Sequence, residues 1–333
     1  MTADVTAAST VVELITGGWR AQAVHTAVKL RLPDHVEAGH TTDAALAAAS
    51  GAEEDGIHRL MRLLVAVGVF AGDGGGGYRT TDVSRALLDR PGSQRDMCLL
   101  YGEEFYAAWG HAVEAISTLG SGFELAHGTP VYAYFTADPE RTRKFQGAMR
   151  ATNLFFGAVP GVFDFAGKRV VDLGGGSGQL LGEILTATPS ARGVLLDLPN
   201  VVAAAREHLA GLADRVELVG GDMFASVPPG GDVYLLCRVL AGHSDDAVVE
   251  LFTTIRDNLA TSSARLLLLD RLVVDEGSTV LPAQWDLHLL MTTGGRHRSL
   301  AELRTLLERA GLEIERAEDL PVETTALVVR PRT

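Results

Sequence analysis

The chain has 333 residues, 47% hydrophobic and 21% charged, an ordinary globular balance that excludes intrinsic disorder and allows one large or two ordinary domains. Its formal charge is −13, from 29 Lys+Arg against 42 Asp+Glu, so it is a poor general phosphate binder and should repel nucleic acid unless it carries a local basic face. Its two cysteines exclude a disulfide scaffold and a cysteine-rich zinc site, and no apolar run reaches the roughly 18 residues of a membrane span.

The start, Met1-Thr2-Ala3-Asp4, lacks the basic and apolar runs of a secretory signal, so a cytoplasmic location without membrane contact is expected. Residues 1–92 form a first expected domain, mostly helical. Val11 to Ala38 shows apolar residues at helical spacing, interrupted at Gly17-Gly18 and at Pro33. Thr41-Thr42-Asp43 caps an alanine-rich helix over 44–49. Glu53-Glu54-Asp55 loads acid onto the start of another helix, 56–67, whose buried face is expected to be Leu60, Leu63, Leu64 and Val67. Val69 to Ala71, a glycine-rich turn, and Tyr78 to Thr80 then read as a strand hairpin. Three helices and a hairpin make a winged-helix pattern. Such a unit binds DNA or serves as a dimerisation scaffold. Only His58, Arg59 and Arg62 on the would-be recognition helix and Arg79 on the wing favour DNA, so dimerisation is the preferred reading.

Residues 93–160 read as a helical connector. It carries more than half of the chain's Phe, Tyr and Trp, among them Phe105, Tyr106, Trp109, Phe123, Tyr132, Tyr134, Phe135, Phe145, Phe155 and Phe156. Such a concentration either packs as core or lines a pocket for a flat ligand. Residues 161–333 alternate strand and helix, which predicts a parallel sheet covered on both faces. The strand candidates are 169–173, 193–196, 216–219, 233–237, 266–269 and 326–329.

The chemistry-bearing motif opens this region. Val170-Val171-Asp172-Leu173 runs into Gly174-Gly175-Gly176-Ser177-Gly178, and a helix follows from about Gln179. Glycines let the backbone turn sharply beside a ligand, and the helix start offers oriented N–H groups. A glycine turn alone is shared with dinucleotide enzymes. Asp197, ending the next strand before Leu198, suits a pair of ribose hydroxyls. Asp222 with Met223 and Phe224, after the third strand, suits an adenine amino group and its ring. Each of these residues has an ordinary alternative as a cap or turn. Three in order at successive strand ends make an accidental arrangement implausible.

These motifs, together with Gly294 to Ser299 (Gly-Gly-Arg-His-Arg-Ser), resemble the S-adenosylmethionine-dependent small-molecule O-methyltransferases of the caffeate type and their bacterial natural-product counterparts. The resemblance spans nearly the whole chain. It implies an α/β fold: a Rossmann-like methyltransferase domain preceded by a mostly helical winged-helix dimerisation domain. It also implies a homodimer, a small aromatic substrate, S-adenosylmethionine as methyl donor with S-adenosylhomocysteine as product, and no metal. Carried over residue by residue, Asp172, Gly174, Gly175, Gly176 and Gly178 form the cofactor loop. Asp197 and Leu198 flank the ribose, Asp222, Met223 and Phe224 the adenine, and Arg238, which matches a basic residue after the fourth strand, is the last of the cofactor-binding candidates. Met149 and Asp286 match substrate-side positions, and Phe105, Trp109 and Phe145 join them as candidate substrate contacts. The scattered histidines show no paired metal-ligand spacing.

The sequence departs from the family where phenol-methylating relatives carry a His general base followed by Asp-Trp. Anchored on Asp246, Gly242 takes the base position and His243 its neighbour; a one-residue slip would instead make His243 the base. The first placement is preferred. The two acids that orient the base in the family match Asp270 and His297. His243, Asp270 and His297 are therefore the catalytic candidates, and the expected chemistry is methyl transfer to oxygen or nitrogen without the usual base. Two alternatives stand beside it. The first is the same fold and cofactor used for decarboxylation, hydroxylation or a pericyclic reaction, which would not consume S-adenosylmethionine stoichiometrically. A winged-helix regulator with a vestigial cofactor domain would bind DNA in a salt-dependent way.

Overall fold

The structure is a computed structural model and describes residues 2–259, 261, 263–274 and 276–332. Two compact units divide the chain: Met1–His111 with Phe123–Thr152, and Ala112–Gly122 with Asn153–Thr333. The expected boundaries at 92 and 160 do not coincide with this division, because most of the connector packs with the N-terminal region and its last residues with the sheet.

The first unit opens with α1 (Thr2–Ile15), α2 (Gly17–Lys29), α3 (Leu32–Glu37), α4 (Asp43–Ser50) and α5 (Glu54–Ala66). Gly17-Gly18 does not open a loop; α2 begins there, and Pro33 sits in the first turn of α3, where its missing N–H costs nothing. Thr42 caps α4 by accepting from the Ala45 N–H (3.2 Å), and Gly51 ends it at φ 73°. The buried face of α5 is Ile57, Met61 and Leu64, whereas Leu63 and Val67 are exposed, a correction to the face expected from sequence. The hairpin β1 (Phe70–Asp73) and β2 (Gly77–Thr80) pairs antiparallel, and the Asp73 side chain accepts from the Gly75 and Gly76 N–H groups to hold the turn. Then follow α6 (Asp82–Arg85), α7 (Arg95–Gly102), α8 (Glu104–Trp109), most of α10 (Gly122–His127), α11 (Val131–Thr136) and α12 (Pro139–Ala151). Phe105, Phe123 and Phe135 are fully buried here with Leu100, Val131 and Ala148, joined by edge-to-face and tilted ring contacts.

The second unit holds α9 (Ala112–Thr118) and a seven-stranded sheet. Its strands are β3 (Arg169–Leu173), β4 (Arg192–Asp197), β5 (Val216–Gly220), β6 (Val233–Cys237), β7 (Arg265–Asp270), β10 (Leu312–Leu320) and β11 (Thr324–Pro331). A short parallel pair, β8 (Leu272–Val273) with β9 (Arg298–Ser299), stands apart. The order is β10-β11-β7-β6-β3-β4-β5. The five strands from β3 to β7 are parallel, while β11 runs antiparallel to both β7 and β10. The sheet is thus mixed rather than parallel throughout, and β10 is a strand the sequence did not announce.

Side chains alternate between two cores, as period-2 geometry requires of a strand buried on both faces. Val170, Leu195, Leu235, Leu267 and Val328 face one core with α13 (Gln179–Ala187) and α14 (Pro199–His208). Val171, Leu196, Leu236, Leu268 and Val329 face the other with α15 (Asp245–Asn258) and α17 (Leu300–Arg309). Ser244 caps α15, and Ser299 with Glu302 forms a capping box on α17. The remaining helix, α16 (Val280–Thr293), leads into the loop before β9. Chain order reverses between β3 and β6, so the carboxyl ends of these strands frame a switch-point crevice, where open α/β sheets bind ligands.

Candidate active site

The glycine loop leaves β3 and returns as α13. Gly178 is the N-cap of α13 at φ 77°, and a Cβ there would stand 2.5 Å from Leu209. Gly176, at φ 59°, faces open space, so the loop presents bare backbone to the crevice. Its N–H donates to Asp197 Oδ2 (2.8 Å) while the Leu198 N–H donates to Oδ1 (2.7 Å). Asp197 is therefore fixed at the end of β4 with lone pairs to spare, and Leu198 beside it is exposed. Beneath the loop, Asp172 is 1% exposed, and neither carboxylate oxygen has a hydrogen-bond partner among the described residues. Burial, reinforced by the Asp197 charge, pushes its carboxyl up to about 7.

Past β5, the Asp222 carboxylate accepts from the Phe224 N–H (2.9 Å) in a tight turn, and Met223 and Phe224 pack partly against the second core. The His243 ring lies 4.3 Å from the Phe224 ring. His243 is exposed as a residue, and the partial desolvation of its ring with the Arg298 charge pulls its imidazole below the usual range. Arg298 explains why this stretch is held: its guanidinium donates to Leu240 O (2.9 Å) and His243 O (2.6 Å) and pairs with Asp245 (2.8 Å). Arg238, at the end of β6, adopts φ 55°, a backbone position that costs a non-glycine residue energy. Its guanidinium lies 4.4 Å from the Phe155 ring centroid and donates to Thr324 Oγ1 (2.7 Å).

A second buried group forms where β8 pairs with β9, since Leu272 opposite Arg298 sets the end of β7 beside His297. Asp270 and His297 are both buried, with Asp270 Oδ1 3.8 Å from His297 Nδ1. That distance is too long for a hydrogen bond. Burial raises the Asp270 carboxyl to about 6 despite three nearby arginines. Burial and the Arg271 and Arg238 charges pull His297 down to about 4, so it is neutral at pH 7. The Asp286 carboxylate, on α16, accepts the His297 backbone N–H (2.6 Å) and fixes that turn. Arg271 is buried with its guanidinium 4.2 Å over the Trp285 ring, and His288, also buried, is pulled down to about 4.

Comparison with known proteins decides what this arrangement belongs to. A family described as the O-methyltransferase domain matches residues 109–313, and the O-methyltransferase dimerisation domain matches residues 12–90. The chain belongs to this O-methyltransferase family. It is similar to the phenazine-1-carboxylate N-methyltransferase of Pseudomonas aeruginosa, 43% identical over 98% of both chains. The 3-amino-4-hydroxybenzoate 4-O-methyltransferase of Streptomyces cremeus is 37% identical over 96% of this chain and 89% of that one. A solved O-methyltransferase of neocarzinostatin biosynthesis, in complex with S-adenosylmethionine and 2-hydroxy-5-methyl naphthoic acid, superposes with a TM-score of 0.78 at 31% identity, covering 93% of this chain and 95% of that one.

As a member of this O-methyltransferase family the chain is an S-adenosylmethionine-dependent methyltransferase, and its crevice fits that cofactor. The open face of Gly176, the anchored Asp197 and the partnerless Asp172 carboxylate suit a ligand with ribose hydroxyls and a cationic end. Among the described residues no three His, Cys, Asp or Glu side chains are grouped to hold a metal ion, and no helix is long and apolar enough to cross a membrane. The cofactor-loop residues, Asp197, Leu198, Asp222, Met223, Phe224, Arg238, Asp270, Asp286 and His297 all lie in the sheet unit. Phe105, Phe145, Met149 and Trp109 lie in the first unit, where Phe105 is core, Phe145 stacks on Phe135, Met149 packs beside that core and Trp109 is 38% exposed. The sequence reading passed over Arg271 and Trp285. An arginine directly after the apolar run Leu266 to Leu269 and its acid was the available signal, since a charge so placed is either buried or facing a ligand.

Proposed function

We propose that the chain methylates an oxygen or nitrogen of a small aromatic acceptor by positioning it, without a histidine base. The observation that carries this is the placing of His243: exposed, resting on Phe224 and tied through its backbone to Arg298, while Asp270 and His297 are buried together. Bound in the crevice, S-adenosylmethionine supplies an electrophilic methyl on a sulfonium. The chain's own residues then have four tasks. The glycine loop with Asp172 and Asp197 holds the cofactor's polar groups. Asp222, Met223 and Phe224 bracket the adenine. Arg238, engaged with Phe155 and Thr324, braces the end of β6 rather than touching the cofactor. Asp270 and His297 orient the acceptor. Alignment of two reactants is worth roughly 7–11 kcal/mol, more than the factor of about 10²–10⁴ that a positioned base adds.

Relatives that act on nitrogen and on oxygen both occur, and the substrates in two of their names are aromatic acids, phenazine-1-carboxylate and 3-amino-4-hydroxybenzoate. We assign this chain an acceptor of that size and kind. The first unit is proposed to form a homodimer, supported by the dimerisation-domain match and by the exposed Val11, Val12, Leu14, Ile15 and Trp19. Incubation with S-adenosylmethionine and a panel of amino- and hydroxy-substituted aromatic acids, read by mass spectrometry, should show one methylated product per S-adenosylhomocysteine formed. Turnover of an aromatic acid without that stoichiometry would favour the non-methylating alternative.

A further inference from the structure

We propose that Asp270 and His297 together read an aromatic amino group: one N–H of the acceptor donates to the Asp270 carboxylate, the other to His297 Nδ1, and the nitrogen keeps its lone pair free for the methyl. This rests on the methyltransferase reading above and narrows its acceptor from oxygen or nitrogen to a primary aromatic amine. Both side chains are buried, His297 at 6% and Asp270 at 9% exposed. Asp270 ends β7, which lies beside β6, and β6 in turn borders β3 with its glycine loop. The Cys237 thiol at the end of β6 shows how near the two centres are. Burial pushes that thiol up, and the charges of Asp172 and Asp270, on the strands to either side, add to it.

Both residues are held in place. Asp270 Oδ1 accepts the Arg271 N–H (2.8 Å), and the Asp286 carboxylate accepts the His297 backbone N–H (2.6 Å). Asp270 Oδ1 and His297 Nδ1 stand 3.8 Å apart, too far for a hydrogen bond to each other. Nδ1 is buried without a hydrogen-bond partner among the described residues. Burial raises the Asp270 carboxyl only to about 6, so it is an anion at pH 7, while burial with the Arg271 and Arg238 charges brings His297 down to about 4, so its ring is neutral. With the ring proton on Nε2, both facing atoms are acceptors. Two acceptors at that spacing suit an NH2 group: a nitrogen about 2.9 Å from each sees them at an angle of roughly 80°, within about 20° of its own N–H directions. A hydroxyl has one proton and leaves the other acceptor buried and unpaired, the mismatch by which a polar site discriminates most strongly. An amine also suits a site without a strong base. Its lone pair forms the bond to the methyl carbon, and the electron pair of the broken C–S bond stays on sulfur. One N–H proton then passes to Asp270 from the new aromatic ammonium, which is a stronger acid than a carboxyl of raised pKa.

The test uses the full chain saturated with S-adenosylhomocysteine and two probes of one skeleton, 6-amino-2-naphthoate and 6-hydroxy-2-naphthoate. Calorimetry should show the wild type preferring the amine at least tenfold. His297→Phe, which keeps a flat ring but no acceptor, should cut that preference to within about threefold while leaving phenol affinity within about twofold. S-adenosylhomocysteine affinity should hold in the variant, which also checks its folding. Nitrogen NMR of the histidine-labelled chain, with His297 assigned by its absence from His297→Phe, should show Nδ1 without a proton. A wild type with no amine preference, or binding neither probe, overturns the assignment, as does a His297→Phe variant that still prefers the amine or a protonated Nδ1 in the wild type. Failure of the wild type to bind S-adenosylhomocysteine at all would instead overturn the methyltransferase reading.

Discussion

Asp172 is the residue whose replacement tests the physics of the cofactor crevice most directly. Its carboxyl rises from an ordinary 3.8 to about 7 because the group is fully buried and lies near Asp197. An acid with a raised folded pKa favours the protonated form of the native state. Its contribution to stability is complete below about 3.8 and is lost as pH climbs through about 7. Each pH unit between the two values is worth about 1.4 kcal/mol, so ionising Asp172 in the folded, cofactor-free protein costs about 4 kcal/mol. By the same linkage, about 2–3 kcal/mol of that cost accrues between pH 5 and pH 8. Asp172→Asn mimics the protonated side chain at every pH. The variant should therefore be more stable than wild type at pH 8 and much closer to it at pH 5. For a unit of this size the change in the difference should be roughly 5–10 °C in melting temperature. Thermal unfolding of both proteins across pH 5–8, without cofactor, measures it. A difference between the two proteins that does not vary with pH would refute the reasoning and leave Asp172 an ordinary ionised acid.

The other predictions follow from the same site. Asp197→Ala should weaken S-adenosylhomocysteine binding at least tenfold by calorimetry, since a hydrogen bond to a charged group is worth about 1.5–3 kcal/mol and the Gly176 N–H loses its anchor as well; an unchanged affinity would remove Asp197 from the site. His243→Ala should lower single-turnover rates less than about tenfold, and a hundredfold loss would restore His243 as the base. Any rise in rate with pH near 6 should survive in His243→Ala and vanish in Asp270→Asn, because burial holds the Asp270 carboxyl at about 6 whereas His297 has already lost its proton above about 4. Light scattering at micromolar concentration should give a dimer, with Leu14→Ser combined with Trp19→Ser driving it toward monomer; a wild-type monomer would contradict the proposed assembly.

Much of this was legible in the residues because local pattern and tertiary demand agreed. The apolar strands β3, β6 and β7 are buried on both faces, so they read as short continuous apolar runs, and their bounds lie within a residue of expectation. The glycine loop and the acids after β4 and β5 were visible because ligand binding at a switch point constrains residue type at strand ends. What escaped was set by tertiary context. β10, Leu-Glu-Ile-Glu-Arg-Ala-Glu-Asp-Leu, is an edge strand whose charged residues face water, so it reads as a polar segment. The sheet is mixed because β11, which β10 hands back as a hairpin partner, runs antiparallel to β7. On α5, Leu60, Leu63, Leu64 and Val67 have helical spacing, yet the core took Ile57, Met61 and Leu64, about one step round the helix. Arg271 was passed over, and His288 left as surface or core, because no local rule separates a buried charge from a surface one. Their burial follows from the β8–β9 pairing and from α16, both formed by segments distant in sequence.

The same pairing ties the chemistry together. By joining Leu272 to Arg298 it brings an acid of weakened charge, a neutral imidazole and a guanidinium to one place. None of the three is a strong base at pH 7. A carboxyl with a pKa of about 6 takes a proton from a neutral phenol of pKa about 10 only at a cost of some 5 kcal/mol. The proposed acceptor must therefore be nucleophilic through its own electronics, as an aromatic nitrogen or an already acidic hydroxyl is. What the protein adds is direction. An acceptor held away from the reacting atom has that atom fixed relative to the methyl, so binding energy is converted into alignment. It follows that moving the acid group on the ring, with the nucleophile unchanged, should reduce turnover far more than it reduces binding. A positional series of amino-phenazine carboxylates would show whether turnover per bound acceptor tracks that geometry, and equal turnover across the series would break the link between grip and alignment.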